Sequence, residues 1–188
     1  MGKTVKIALA GEGGQGVQSV AEILAEAAYE EGREAVYIPN FGVEQRGGVS
    51  IAYLQISDQS IGSPKFQKAD IVVALSDRAV IRTQRYVDER TTFVYDTSIE
   101  GVEEYLPKNA GRVFGIPAIE VSQTDLHPRV FNIIIMGAVI RATEVVTLEE
   151  AKTAIEKKLG YKFDQNPKLR EMNYQALEAG IALVEKAL

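Results

Sequence analysis

The chain has 188 residues, 46% hydrophobic and 25% charged, with a formal charge of −5. That length and balance fit one domain, residues 1–188, with a real core; they exclude disordered and fibrous classes and argue against general nucleic-acid binding. With no cysteine and one histidine, His127, the chain has no thiolate nucleophile and no Cys-held iron–sulfur cluster, and little with which to bind zinc.

Thr4 to Ala10 (TVKIALA) reads as a buried strand. It runs straight into GEGGQG at 11–16, so we read it as a first strand rather than a signal peptide. No apolar run approaches the length of about 18 residues that a membrane span needs, and a cytoplasmic location is expected. From Gly16 to Glu31 the apolar residues Val17, Val20, Ala21, Leu24 and Ala28 recur with helical period, and Gly32 ends that helix. Glu34–Ile38 is a second strand, and the order strand, loop, helix, strand opens an α/β fold. After the loop PNFGVEQRGG (39–48) comes a long strand, VSIAYLQIS. It follows too closely for a helical crossover and is expected to be antiparallel to its neighbour.

DIVVALS (70–76) and TFVYD (92–96) are two further strands, with a helix expected over Asp77–Glu89 between them. Thr97 to Arg112 reads as irregular and VFGIPA (113–118) as the last strand. Arg129–Glu144 is helical and apolar on every side through FNIIIMGAVI, which suits either a core or an interface equally. In the tail, Thr147 and Glu150 match a capping box, Gly160 is expected to stop that helix, and Asn166-Pro167 opens the last one. The expected architecture is a three-layer α/β/α Rossmann-like domain with a mostly parallel, mixed sheet and C-terminal helices.

The glycine loop between a strand and a helix is the strongest chemical signal. Such a loop presents free backbone N–H groups at the positive end of a helix, and glycine lets the backbone come close to a phosphate. Gly11, Gly13 and Gly16 match G-x-G-x-x-G. A nicotinamide dinucleotide also demands an acid at the end of the second strand. That strand ends Val36-Tyr37-Ile38-Pro39, and Glu34 lies at its wrong end. No Gly-Lys-Ser/Thr follows the loop, so it is no P-loop either. In the second motif, Arg46 ahead of Gly47 and Gly48 suggests close approach to another surface with a cation aimed at an anion; a solvated turn is its plain alternative.

Taken together, GEGGQGV at 11–17, FGVEQRGG at 41–48, IPAIEV at 116–121, Asn132 and Gly137 in the apolar helix and NYQALEAG at 173–180 resemble one family. That family is the gamma subunit, or gamma domain, of 2-oxoacid:ferredoxin oxidoreductases. The usual members read YGPE before the arginine, where this chain has FGVE followed by Gln45.

The resemblance implies a multi-subunit enzyme that oxidatively decarboxylates a 2-oxoacid (pyruvate, 2-oxoglutarate, a branched-chain or an aryl acid). Electrons go to ferredoxin and an acyl-CoA is formed. It implies alpha and beta partners carrying thiamine diphosphate, a delta partner carrying iron–sulfur clusters, and a non-redox gamma part associated with coenzyme A. On that reading Gly11, Gly13, Gly14, Gln15 and Gly16 contact phosphate or pantetheine. Arg46, Gly47 and Gly48 either meet the thiamine-bearing subunit or orient the thiol end. No catalytic or metal-binding residue is expected in this chain. A purely structural assembly subunit and a stand-alone NAD(P)-dependent oxidoreductase are the rival readings.

Other features have plainer explanations. Arg78, Arg82 and Arg85 share a helix face that reads as solvated, with docking to an acidic partner or capture of a coenzyme A phosphate as the alternative. Ser76 is expected to cap a helix, Asp96 has a turn or ligand role, and His127 is structural or on the surface.

Overall fold

The computed structural model describes residues 4–41 and 48–187. Arg46 and Gly47, two of the expected site residues, lie outside them. Among the described residues six strands form one sheet in the order β2-β3-β1-β4-β5-β6. They are β1 (Val5–Gly11), β2 (Glu34–Asn40), β3 (Ser50–Ser57), β4 (Ile71–Ala74), β5 (Thr92–Asp96) and β6 (Arg112–Ile116). β3 runs antiparallel to both of its neighbours, while β1, β4, β5 and β6 are mutually parallel. The mixed sheet and the antiparallel third strand are as expected. β3 wedges between β1 and β2, because the β2–β3 connection is too short for a crossover.

The helices are α1 (Val17–Glu30), α2 (Asp77–Thr83), α3 (Ala118–Thr124), α4 (Phe131–Thr143), α5 (Leu148–Gln165) and α6 (Pro167–Ala187). One face of the sheet carries the larger core, in which Ile7, Leu9, Leu54 and Ile71 meet Leu24 of α1, Ile133 to Val139 of α4 and Leu177 of α6. The other face carries a thinner layer, where Ala8, Ala10, Val72 and Phe93 pack beneath Ala79 and Val80 of α2 and the turn at Tyr86. Among the described residues, no helix is long and apolar enough to cross a membrane.

Local chemistry explains several boundaries. α1 ends in a Schellman arrangement: Arg33 N–H donates to Ala28 O at 3.1 Å and Gly32 N–H to Tyr29 O at 2.9 Å, with Gly32 at φ 76°. Thr147 and Glu150 form the expected capping box of α5. Gly160, however, does not stop α5, which runs on to Gln165. Gly160 keeps a right-handed conformation, and the break comes at Asn166, ahead of the proline that opens α6. α2 is also shorter than expected, giving way after Thr83 to a 3₁₀ turn at Gln84–Tyr86. The last strand stops at Ile116, and residues 118–124 form the unexpected α3, because Asp96 Oδ2 accepts from Ile119 N–H at 2.8 Å.

The apolar helix α4 is buried within the chain from Ile133 to Ile140. It crosses α6 at two facing glycines: a methyl on Gly137 would sit 2.1 Å from Leu177 O, and one on Gly180 1.9 Å from Ile134 O. Only glycine permits so close an approach of two helix backbones.

Candidate functional site

The glycine loop leaves the C-terminal end of β1 and enters α1. Glu12 to Gln15 is a tight turn closed by Gln15 N–H to Glu12 O at 3.2 Å, with Gly14 at φ 92°. Gly16 caps α1 in the left-handed region, at φ 74°, and offers no side chain to the helix end. Among the described residues, the N–H groups of the first turn of α1 therefore receive no side-chain cap, which is the physical condition for anion binding at a helix start.

Gln15 is engaged inside the protein. Its Oε1 accepts from Glu12 N–H at 2.7 Å, and its Nε2 donates to Leu75 O at 2.8 Å. The side chain thus ties the loop of β1 to the end of β4. Glu12 makes a second tie, receiving Arg78 Nε at 2.9 Å and Arg78 Nη2 at 2.7 Å. The Arg78 guanidinium holds the Glu12 carboxyl below its ordinary value, with burial opposing it. These two ties span the crevice between β1 and β4, the place where an open α/β sheet would ordinarily receive a dinucleotide. β2 carries no acid at its C-terminal end, and Glu34 Oε2 accepts from Ile61 N–H instead.

What remains open beside the loop is a cleft on its α3–α4 side, about 500 Å³ in volume. Gly14, Gln15 and Gly16 form one wall; Ser122, Gln123, Arg129 and Asn132 supply polar groups on the other. Asn132 is positioned by Gly16, since a methyl there would lie 2.7 Å from Asn132 Cβ. The starts of α1 and α4 therefore meet at this cleft. Arg129 is exposed, and among the described residues its guanidinium has no hydrogen bond or ion pair. A cation, an amide and a helix start converging on one concavity suit a phosphate group.

The other expected residues fall elsewhere. Gly11 lies buried at the end of β1, tight against the Gln15 side chain, while Gly13 is exposed on the loop. Gly48 is half-buried ahead of β3. Ser76 caps α2, its Oγ accepting from Ala79 N–H at 3.2 Å. Buried Asp96 accepts from Ser98 and Ile119 N–H. His127 Nδ1 accepts from Arg129 N–H at 3.1 Å and so shapes the turn before α4. Arg85 lies in the 3₁₀ turn that follows α2, its guanidinium 4.8 Å from the Tyr86 ring centroid.

Arg129, Gln123 and Ser122 were not singled out by sequence. They belong to a short helix and a turn that carry no glycine pattern, and only the return of α4 to the loop gives them meaning. A second feature without a sequence signal is the aromatic cluster of Tyr53, Phe66 and Tyr86. Its Tyr53 and Tyr86 hydroxyls lie 2.7 Å apart, and burial pushes Tyr53 up to about 12.

Residues 6–183 match the model of the pyruvate ferredoxin/flavodoxin oxidoreductase family. The chain belongs to this family. It is 32% identical over 186 residues to the ketoisovalerate oxidoreductase subunit VorA of Methanothermobacter marburgensis, covering 99% of this chain and 38% of that protein. The chain thus spans well under half the length of that relative. It is also 32% identical over 176 residues to the 2-oxoglutarate synthase subunit KorC of Archaeoglobus fulgidus, with 93% of this chain and 89% of that one covered. Among solved structures, a keto/oxoacid ferredoxin oxidoreductase gamma subunit from Geobacter sulfurreducens matches with a TM-score of 0.82 at 26% identity, over 98% of both chains. The 2-oxoglutarate:ferredoxin oxidoreductase of Magnetococcus marinus, determined with 2-oxoglutarate, coenzyme A and succinyl-CoA bound, shares the fold with a TM-score of 0.89 at 22% identity, over 99% of this chain and 32% of that one. As a member of this family, the chain is of the oxidoreductase gamma-subunit type.

Proposed function

We propose that this chain is the non-redox gamma subunit of a cytoplasmic, multi-subunit 2-oxoacid:ferredoxin oxidoreductase, and that its glycine-loop cleft holds a phosphate of coenzyme A. In this reading alpha and beta partners carry thiamine diphosphate and a delta partner carries iron–sulfur clusters. The complex converts a 2-oxoacid to an acyl-CoA and reduces ferredoxin. The observation that carries the ligand assignment is the convergence of the α1 start, Arg129 and Asn132 on one cleft. The chain has no cysteine to hold a cluster of its own, which supports assigning the redox centres to partner subunits.

Gly14 and Gly16 bring the backbone to the ligand, Gln15 holds the loop rather than the ligand, and Arg129 supplies the charge. Arg46, Gly47 and Gly48 remain assigned to the partner-facing side or the thiol end. The test is calorimetric titration of coenzyme A into the isolated chain and into the assembled complex, with Arg129→Ala beside the wild type. Loss of one charge-assisted hydrogen bond predicts affinity lower by about tenfold or more in the variant. Absence of binding to both wild-type preparations would overturn the assignment. It would leave the structural assembly subunit, a reading that the internal engagement of Gln15 favours.

A further inference from the structure

Beyond Arg129 the surface continues into a second concavity of about 660 Å³, between α1, the start of α4 and the α5–α6 hairpin. Arg129 and Asn132 line both this groove and the glycine-loop cleft, so the two are arms of one surface. The groove is positively charged. The protein has 26 acidic against 21 basic residues, yet among the described residues the groove lining includes Arg129, Lys158, Lys162 and His127 and no carboxylate. Its floor is apolar, from Ile23 and Ile133 to Phe163 and Met172.

The cations differ in availability. Lys158 Nζ donates to Glu22 at 2.8 Å and is held. Lys162 lies 5.5 Å from the centroid of the Tyr161 ring, and Tyr161 is 62% exposed, among the most exposed large side chains of the chain. A solvent-facing aromatic face beside an exposed ammonium, over an apolar floor, suits a planar ring that bears an anionic group. An uncharged amide chain would have no use for the cations, and inorganic phosphate would have no use for the floor.

We propose that this groove receives the phosphorylated nucleoside end of the ligand whose diphosphate lies at the glycine loop, Lys162 pairing with the ribose phosphate and Tyr161 flanking the base. The inference rests on the coenzyme A reading and names which part of that ligand each arm recognises. Lys162 is exposed at the end of α5, so its removal leaves the fold intact.

The experiment titrates coenzyme A and dephospho-coenzyme A, which lacks the ribose 3′-phosphate, into the assembled complex. Wild type is expected to prefer coenzyme A by about tenfold, the worth of one charge-assisted contact. Lys162→Ala should abolish that preference while leaving the affinity for dephospho-coenzyme A unchanged. Lys157→Ala, a lysine of the same helix outside the groove that pairs with Glu30, should keep it. Retained preference in Lys162→Ala, or equal binding of the two compounds by wild type, overturns the groove assignment and leaves the coenzyme A reading standing. No binding of either compound by wild type overturns that reading itself.

Discussion

Two helical glycines should respond in opposite ways to the same substitution. At Gly180, a methyl would lie 1.9 Å from Ile134 O, 2.8 Å from its carbonyl carbon and 2.9 Å from Ala138 N. All three atoms belong to the backbone of α4, so no rotamer change relieves them. Ordinary contact begins near 3.4 Å, and the two helices must therefore part by about 1 Å or more. Overpacking of this kind costs up to about 3 kcal/mol, offset by about 1 kcal/mol from the better helix propensity of alanine.

The expected net loss for Gly180→Ala is about 2 kcal/mol, which lowers Tm by about 4–8 °C in a chain of this size. Gly160 lies inside α5 with only Glu156 Oε2 within reach, at 3.7 Å. There the propensity gain is unopposed, and Gly160→Ala should raise Tm by about 2–4 °C. Thermal unfolding followed by circular dichroism at 222 nm (about the helical minimum) reads both variants. An unchanged or raised Tm for Gly180→Ala would refute the close crossing of α4 and α6, and with it the placement of Asn132 over Gly16.

Three further outcomes can be checked with the same preparations. Gln15→Ala removes the bonds to Glu12 N–H and Leu75 O; a loss of about 2 kcal/mol in urea unfolding is expected, and a stability equal to wild type would show that the loop holds itself. Thr147→Ala removes the N-cap of α5 and should cost about 1 kcal/mol, or about 2–4 °C in Tm; no change would refute the capping box. The Glu12–Arg78 pair should make stability depend on pH. Because the folded Glu12 is depressed below its ordinary value of 4.5, its contribution is present above that value and fades as pH falls through the lowered folded pKa. The stability gap between wild type and Arg78→Met should therefore be largest near neutrality and close in acid. A gap independent of pH would show that Arg78 acts by packing alone.

Much of the architecture follows from local rules. Periodicity marked the core strands and α1, and the short β2–β3 link forced an antiparallel strand into an otherwise parallel sheet. Thr147 with Glu150, Gly32 and Asn166-Pro167 fixed helix ends, because caps and proline act within a few residues. Gly160 misled for the same reason: a glycine ends a helix only when it turns left-handed, and this one stays in the helix while α1 and α6 pack against α5. The glycine motif correctly pointed to the start of α1, since strand, loop and helix are contiguous in the chain.

Sequence could not tell that Gln15 would turn inward. Its partner, Leu75 O, is 60 residues away and comes within reach only when β4 pairs with β1. Nor could sequence single out Arg129 together with Tyr161 and Lys162, since the first lies in the turn before α4 and the other two on α5, with no motif to join them. They meet because Gly137 and Gly180 let α4 and α6 cross closely, and because α4 returns its first turn to Gly16. The sequence by itself determined most of the elements, though not α3, and the backbone loop, whose physics is local. The tertiary structure alone decided which side chains face that loop, because a concave surface is a property of packed elements and not of any one of them.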